Sequence, residues 1–237
     1  MSGAYYNEID PYAAQWLRNL ITAGHIAPGD VDERSIEDVQ PSDLRGYTQC
    51  HFFAGIGGWS LALRMAGWDD ARPVWTGSCP CQPFSSASRG CGRGLECDLH
   101  LWPHWRRLIS AIRPTAVFGE QVANAGAWLD EVWGDMEEEG YAFGAAILPA
   151  GAVGADHIRE RIWFFGNAHG YRESGRAINA EASWVQGRGG EPAGMVPPHG
   201  IPDSVACLRA FGNAIVPQVA AAFIRAASPS VAQGVAA

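Results

Sequence analysis

The chain has 237 residues, 47% of them hydrophobic, enough to bury a sizeable core in one domain or in one domain with a small appendage. No apolar run approaches twenty residues and no charged–apolar–small leader opens the sequence, which argues against a membrane span and against secretion. A formal charge of −8 excludes a protein that coats nucleic acid by bulk electrostatics, yet all 17 basic residues are arginine, and arginines outnumber acids between Cys81 and Arg113.

Taken in order, Tyr5 to Asp10 reads as a short strand and an acidic turn, and Pro11 opens a helix with apolar positions 13, 16, 17, 20 and 21. Residues 27–46 are polar and turn-rich. Gln49 to Phe53 forms a second strand that runs into Ala54-Gly55-Ile56-Gly57-Gly58 and a helix from about Trp59 to Ala66. Strand, glycine turn and helix together make a ligand cradle, because glycine admits close backbone approach and a helix start offers free N–H groups. The nicotinamide version of this turn needs an acid about twenty residues on. Here the first acids, Asp69 and Asp70, come too soon.

A buried strand over residues 72–77 then delivers Ser78-Cys79-Pro80-Cys81-Gln82-Pro83-Phe84-Ser85. Cys81 therefore sits where a strand ends, which is where open α/β sheets place their chemistry, and two prolines stiffen the turn around it. A cysteine held still in a polar turn is a candidate nucleophile. The C-x-C spacing of Cys79 and Cys81 does not fit zinc or a redox pair, nor does the C-x5-C of Cys91 and Cys97 near His100 and His104, so no metal is expected. Six irregularly spaced cysteines fit a reducing cytoplasm. Leu101 to Ile112 has helical periodicity, stopped by Arg113-Pro114. Thr115 to Phe118 is a strand that brings Glu120 to its end, Ala127 to Glu139 is an amphipathic helix, and Tyr141–Leu148 and Arg161–Phe165 are the last strands. Residues 167–206 show no period. An alanine-rich helix closes the pattern near Ala227. Trp102 and Trp105 suit either core packing or a nucleic-acid border.

Together the motifs Phe53-Ala54-Gly55-Ile56-Gly57-Gly58, Pro80-Cys81-Gln82, Glu120-Gln121-Val122, Arg159-Glu160-Arg161 and Gly212-Asn213-Ala214 with Pro217 resemble those of the cytosine-C5 DNA methyltransferases. Two departures are a glutamine at 121 where the family has asparagine, and His157 where it has glutamine. The resemblance implies a Rossmann-like α/β sheet, S-adenosyl-L-methionine as cofactor and double-stranded DNA as partner, with the chain acting as a monomer in a bacterial cytoplasm. It assigns catalysis to Cys81, Glu120, Arg159 and Arg161. It assigns cofactor binding to Phe53, Ala54, Gly55, Ile56, Gly57, Gly58, Pro80, Asn213 and Ala214.

Only 22 positions separate Gly58 from Pro80, too few for the two further strands the family inserts there. The missing pieces resemble segments upstream: Asn7 to Ala13 for the second motif, and Gly29-Asp30-Val31 or Arg34-Ser35-Ile36 for the third. The expectation is a circularly rearranged strand order, in which Glu8 binds the cofactor ribose, Ile9 packs on the adenine, Phe53 stacks on its other face, and Asp30 or Ser35, with Ile36, lies nearby. Residues 1–166 and 207–237 form the catalytic and cofactor-binding domain in this reading, and residues 167–206 an abbreviated target-recognition region. Small size and motif order fit a phage or prophage source. Alternatives are a non-catalytic relative that binds cofactor or DNA, and an RNA cytosine methyltransferase.

Overall fold

Short segments of alternating side chains, buried on both faces, build the sheet at the centre of the molecule. The computed structural model describes residues 3–80, 100–155, 159–168 and 214–228. Among these, the strands are β1 (Ala4–Asn7), β2 (Gly29–Asp32), β3 (Gln49–Phe52), β4 (Val74–Gly77), β5 (Ala116–Val122), β6 (Ala142–Pro149) and β7 (Glu160–Asn167). They form one sheet in the order β2-β1-β3-β4-β5-β7-β6. Strands β1 to β5 are mutually parallel, and β7 runs against both of its neighbours. The helices are α1 (Pro11–Thr22), α2 (Gly58–Met65), α3 (Trp102–Ile112), α4 (Gly126–Glu138) and α5 (Pro217–Ala227).

Most expected elements appear within a few residues of their expected bounds. The exception is the polar stretch 27–46, which holds β2 and a 3-10 turn over Pro41–Leu44. Strand β2 has the sequence Gly-Asp-Val-Asp and only partial burial, so it carries no apolar alternation to read. Of the two candidate third motifs, it is the Gly29 segment that forms a strand.

Each helix lies on the face that its sequence pattern dictates. Ala4 and Tyr6 of β1 pack with Leu17 of α1 and with Ile26. On the same side of the sheet, Val74, Phe118 and Trp163 pack against Trp59 and Leu63 of α2 and Val219 and Phe223 of α5. The opposite side presents Tyr5, Phe52, Trp75, Val117 and Phe164 to Leu44, to α3 through Trp102, Trp105 and Leu108, and to α4 through Trp128 and Val132. Trp102 and Trp105 are fully buried, so packing is their role, and each such side chain contributes on the order of 2 kcal/mol of transfer free energy. The Asp10 carboxylate caps α1 by accepting from the amides of Tyr12 and Ala13.

The path between strands is unusual. From β3 the chain crosses to β4 by way of α2, and from β4 it continues in the same direction to β5 by way of α3. Because α2 and α3 cover opposite faces, these two crossovers have opposite hands. The β1-α1-β2 crossover runs the other way on the α2 face, so it shares the hand of the α3 crossover. With right-handed crossovers the strong rule, the β3-α2-β4 unit is the left-handed one. Adjacent strands β1 and β3 thus send their helices in opposite directions along the sheet, and by the rule for open α/β sheets their carboxyl ends are where a ligand crevice is expected. No described helix is long and apolar enough to cross a membrane.

Beneath that crevice lies a buried polar belt. The Tyr6 hydroxyl donates to the Ala27 carbonyl at 2.7 Å and is 3.0 Å from Ser60 Oγ, which also accepts from the Ala27 amide. His51 stacks on Tyr6 with 4.9 Å between ring centroids and places Nδ1 2.8 Å from Thr76 Oγ1. Burial drives the His51 imidazole down to about 3, so it is neutral in the folded state. The unfolded chain takes up a proton on this residue below about pH 6.5 and the folded chain does not, so stability falls as the medium is acidified from that value toward pH 3. By pH 5 the loss from His51 is on the order of 2 kcal/mol. Urea denaturation of wild type and His51→Gln at pH 7.5 and pH 5 measures it: the variant loses less stability between the two.

Candidate active site

The carboxyl ends of β4 and β5, with the start of β7, gather the chemistry-bearing residues. Glu120 lies near the end of β5 on the α2 face and is only 7% exposed. Arg161, which opposite Val122 enters the antiparallel pair, sends its Nε to Glu120 Oε1 at 2.8 Å. Burial raises the Glu120 carboxyl above its ordinary range, while the Arg161 and Arg159 guanidinium groups and hydrogen bonds from Ser78 and Arg161 pull it down; burial wins. The Arg159 Nη2 donates to the Ala214 carbonyl at 2.9 Å, which ties the segment entering α5 to the arginine pair. Gly119 lets Phe164 lie flush on the strand, since a Cβ there would come within 2.0 Å of the ring. The site's carboxylate is therefore anchored on a closely packed backbone.

Strand β4 ends at Gly77 and passes into Ser78, Cys79 and Pro80. Ser78 Oγ accepts from the Trp59 indole at 3.0 Å, and the Ser78 side chain is one of the influences that lower the Glu120 carboxyl. Neither Ser78 nor Trp59 was signalled by sequence; a serine one residue past a strand end and an indole in the first turn of the glycine-loop helix are the features that carry this contact. Gln121 is buried and points Nε2 at the Cys79 carbonyl across 3.5 Å, while its own Oε1 accepts from the Val122 amide. Cys79 is buried and its thiol is pushed up by desolvation, so it is a packed, protonated group. Cys81, Asn213 and His157 lie outside the described residues, as do nearly all of residues 167–206.

The glycine loop closes the crevice on its other side. Phe53 sits at φ 51°, a left-handed conformation that is costly for an aromatic residue, and Gly55 and Gly57 follow at 55° and 81°. Gly58 admits the carboxyl-terminal segment: a Cβ there would meet Ile215 at 2.7 Å. Glu8, just past β1, spans the crevice, with Oε2 accepting from the Gly55 amide at 2.7 Å and Oε1 from the Asp10 amide at 2.9 Å. Burial raises the Glu8 carboxyl, against the pull of those backbone hydrogen bonds. Ile9 beside it is 64% exposed. The β1 and β3 loops are stitched further by the Ala54 amide on the Asn7 carbonyl at 3.0 Å.

Other sequence-selected residues disperse. Asp30 is inside β2, where it accepts from the Tyr47 hydroxyl at 2.8 Å, and Asp32 holds the strand's end. Ser35 bonds Glu37 at 3.1 Å. Ile36 is 2% exposed and packs in the core with Val39 and Leu44, so its side chain serves the core and not the crevice. Asp69 and Asp70 are at the amino end of the sheet: the Asp69 carbonyl accepts from Gln49 at the start of β3, and Asp70 pairs with Arg64 at 2.6 Å. His100 pairs with Glu131 at 3.0 Å and His104 with Glu37 at 3.5 Å, while Cys91 and Cys97 lie outside the described residues.

Residues 72–188 match the family model of C-5 cytosine-specific DNA methylases. No functionally curated protein matches the sequence. Among solved structures, a DNMT2 mutant from Spodoptera frugiperda is 11% identical, over 69% of this chain and 41% of that one, with a TM-score of 0.46. A candidate DNA modification methyltransferase from an E. coli prophage is 19% identical over 69% and 39%, with a TM-score of 0.42. The Dnmt2 methyltransferase of S. pombe is 15% identical over 68% and 40%, with a TM-score of 0.43. The chain spans about two fifths of the length of these structures.

The Glu120–Arg161 pair makes a prediction about stability. Removing the guanidinium leaves a carboxylate buried without its charged partner, a loss of about 2 kcal/mol when Glu120 is ionised. Because burial already raises Glu120, its protonated form escapes that loss at low pH. Chemical denaturation of Arg161→Ala against wild type is expected to show the large deficit at pH 8 and a much smaller one at pH 4.

Proposed function

We propose that the chain, whose residues 72–188 match the family model of C-5 cytosine-specific DNA methylases, transfers a methyl group to C5 of a cytosine in double-stranded DNA. The observation that carries this reading is the buried Glu120 carboxylate, 2.8 Å from Arg161, beside the residues that lead into Cys81. A stacked base cannot reach so buried a carboxylate, so the target nucleotide is extruded from the duplex. The Cys81 thiolate adds to C6, which makes C5 nucleophilic. Glu120 holds the N3 and amino edge and supports the enamine that forms. Arg161 fixes the carboxylate and faces the ring O2, and Arg159 holds the Ala214 segment against the site. Once C5 carries the methyl group, solvent water takes the C5 proton, the freed pair re-forms the C5–C6 double bond and the Cys81–C6 bond breaks, which returns the thiolate.

The crevice residues fit S-adenosyl-L-methionine. When bound, that molecule supplies the electrophilic methyl group. The glycine loop offers close backbone approach, Glu8 presents a carboxylate at the rim, and exposed Ile9 gives an apolar surface for an adenine. Asp69 and Asp70, at the far end of the sheet, leave Glu8 as the acid at the crevice. In this reading β1 and β2 are the second and third strands of the usual methyltransferase order, placed ahead of the glycine-loop strand by circular rearrangement. The position of β3 between β1 and β4, and the left-handed β3-α2-β4 crossover, support it. Residues 1–166 and 207–237 are then the catalytic unit, residues 167–206 the target-recognition region, and a bacterial cytoplasm, with a phage or prophage gene, the setting.

Transfer of labelled methyl from S-adenosyl-L-methionine to mixed-sequence duplex DNA and to tRNA tests this. The expected result is transfer to DNA, lost in Cys81→Ser and reduced by about a hundredfold or more in Glu120→Gln. Transfer to tRNA alone would make RNA the substrate, and cofactor binding without transfer to either would leave a binding protein.

A further inference from the structure

We propose that Ser78 is the positioning residue for Glu120, its hydroxyl aimed at the carboxylate by the Trp59 indole. The inference rests on the reading that Glu120 meets the target base. An indole N–H only donates, so at 3.0 Å it occupies a lone pair of Ser78 Oγ and leaves the hydroxyl proton for another acceptor. The register that sets Gly77 beside Gly119 brings Glu120 alongside Ser78 as the acceptor for that proton, in keeping with the lowering influence of Ser78 on its carboxyl. The carboxylate is thereby held between two donors on separate elements: charged Arg161 on Oε1, from β7, and neutral Ser78, from the loop that leads to Cys81.

Trp59 has little freedom to swing. It is buried in the first turn of α2, next to the glycine loop, and packs edge-on against Trp163 at 5.6 Å. Trp163 in turn is the cross-strand partner of Glu120. One compact unit thus joins the glycine-loop helix, the nucleophile loop and the carboxylate, so the aim of Glu120 is tied to the backbone that presents the cysteine. A donor to the ionised form also offsets part of the burial that raises this carboxyl.

The experiment is a ¹³C NMR titration of glutamate carboxyls in the full chain, with Glu120→Gln assigning the signal. In Ser78→Ala the Glu120 titration is expected to move to higher pH, and in Ser78→Thr, which keeps the hydroxyl, to stay near wild type. Trp59→Phe keeps a ring and deletes the N–H; it moves the titration the same way by less, and decides the matter if Ser78→Ala does not fold. Methyl transfer by Ser78→Ala falls about tenfold or more in kcat with the cofactor KM unchanged, and Ser78→Thr restores it. A Glu120 titration unmoved in Ser78→Ala, or moved equally in Ser78→Thr, overturns the proposal. Absence of methyl transfer by the wild type overturns the reading of the site instead, and the titration still decides the role of Ser78.

Discussion

A carboxylate taken out of water has to be held by donors, and the arrangement around Glu120 is organised by that requirement. Burial opposes its charge, and the compensation comes from elements far apart in sequence: Arg161 at the start of β7, Arg159 just before it, and Ser78 after β4. Each of these must arrive at one point for the charge to be tolerated. That is why β5 packs so closely, with Phe164 lying flat over Gly119, and why the antiparallel β7 is inserted between β5 and β6. Removing a donor leaves a buried charge unpaired, which costs far more than the contact itself contributes.

The crevice between β1 and β3 follows the same logic with a different partner. Here the Glu8 carboxylate is satisfied by backbone amides, of which Gly55 belongs to the facing loop. The bond makes the two loops one surface before any ligand arrives. Phe53, in its strained left-handed conformation, is held by the close packing around it, including an edge-on contact with Trp105 at 6.4 Å. The floor is built of Tyr6, His51, Thr76 and Ser60, with Tyr6 bonded to Ser60 and His51 Nδ1 to Thr76.

Much of this was legible in the sequence because motifs mark strand ends. Gly55-Ile56-Gly57-Gly58, Glu120 and the Arg159/Arg161 pair could each be placed on a loop or strand end from local pattern alone, and the structure brings Glu120 and Arg161 into contact. What escaped was whatever depends on side chains meeting across the fold. Ile36 looks like a neighbour of Ser35 in sequence, yet a turn before Val39 directs it into the core. Strand β2 lacks the alternation that announces a strand, since it is an edge strand with little to bury. Ser78 and Trp59 belong to no motif that spacing reveals; their pairing exists only because α2 lies against the end of β4.

The left-handed passage from β3 through α2 to β4 bears on how the chain folds. It joins the central strand to partners that all precede β5 in the chain: Ala4 pairs with Gln49, and Gln49 with Val74. Closing short loops costs less chain entropy than closing long ones, and local pairing favours rapid folding. The four strands β2, β1, β3 and β4 are all complete by Gly77, whereas β5 must wait for β7 beyond residue 160 before both its edges are covered. The order of the strands along the chain thus favours early assembly of the crevice, with the buried carboxylate of Glu120 acquiring its arginine later, onto a scaffold already in place.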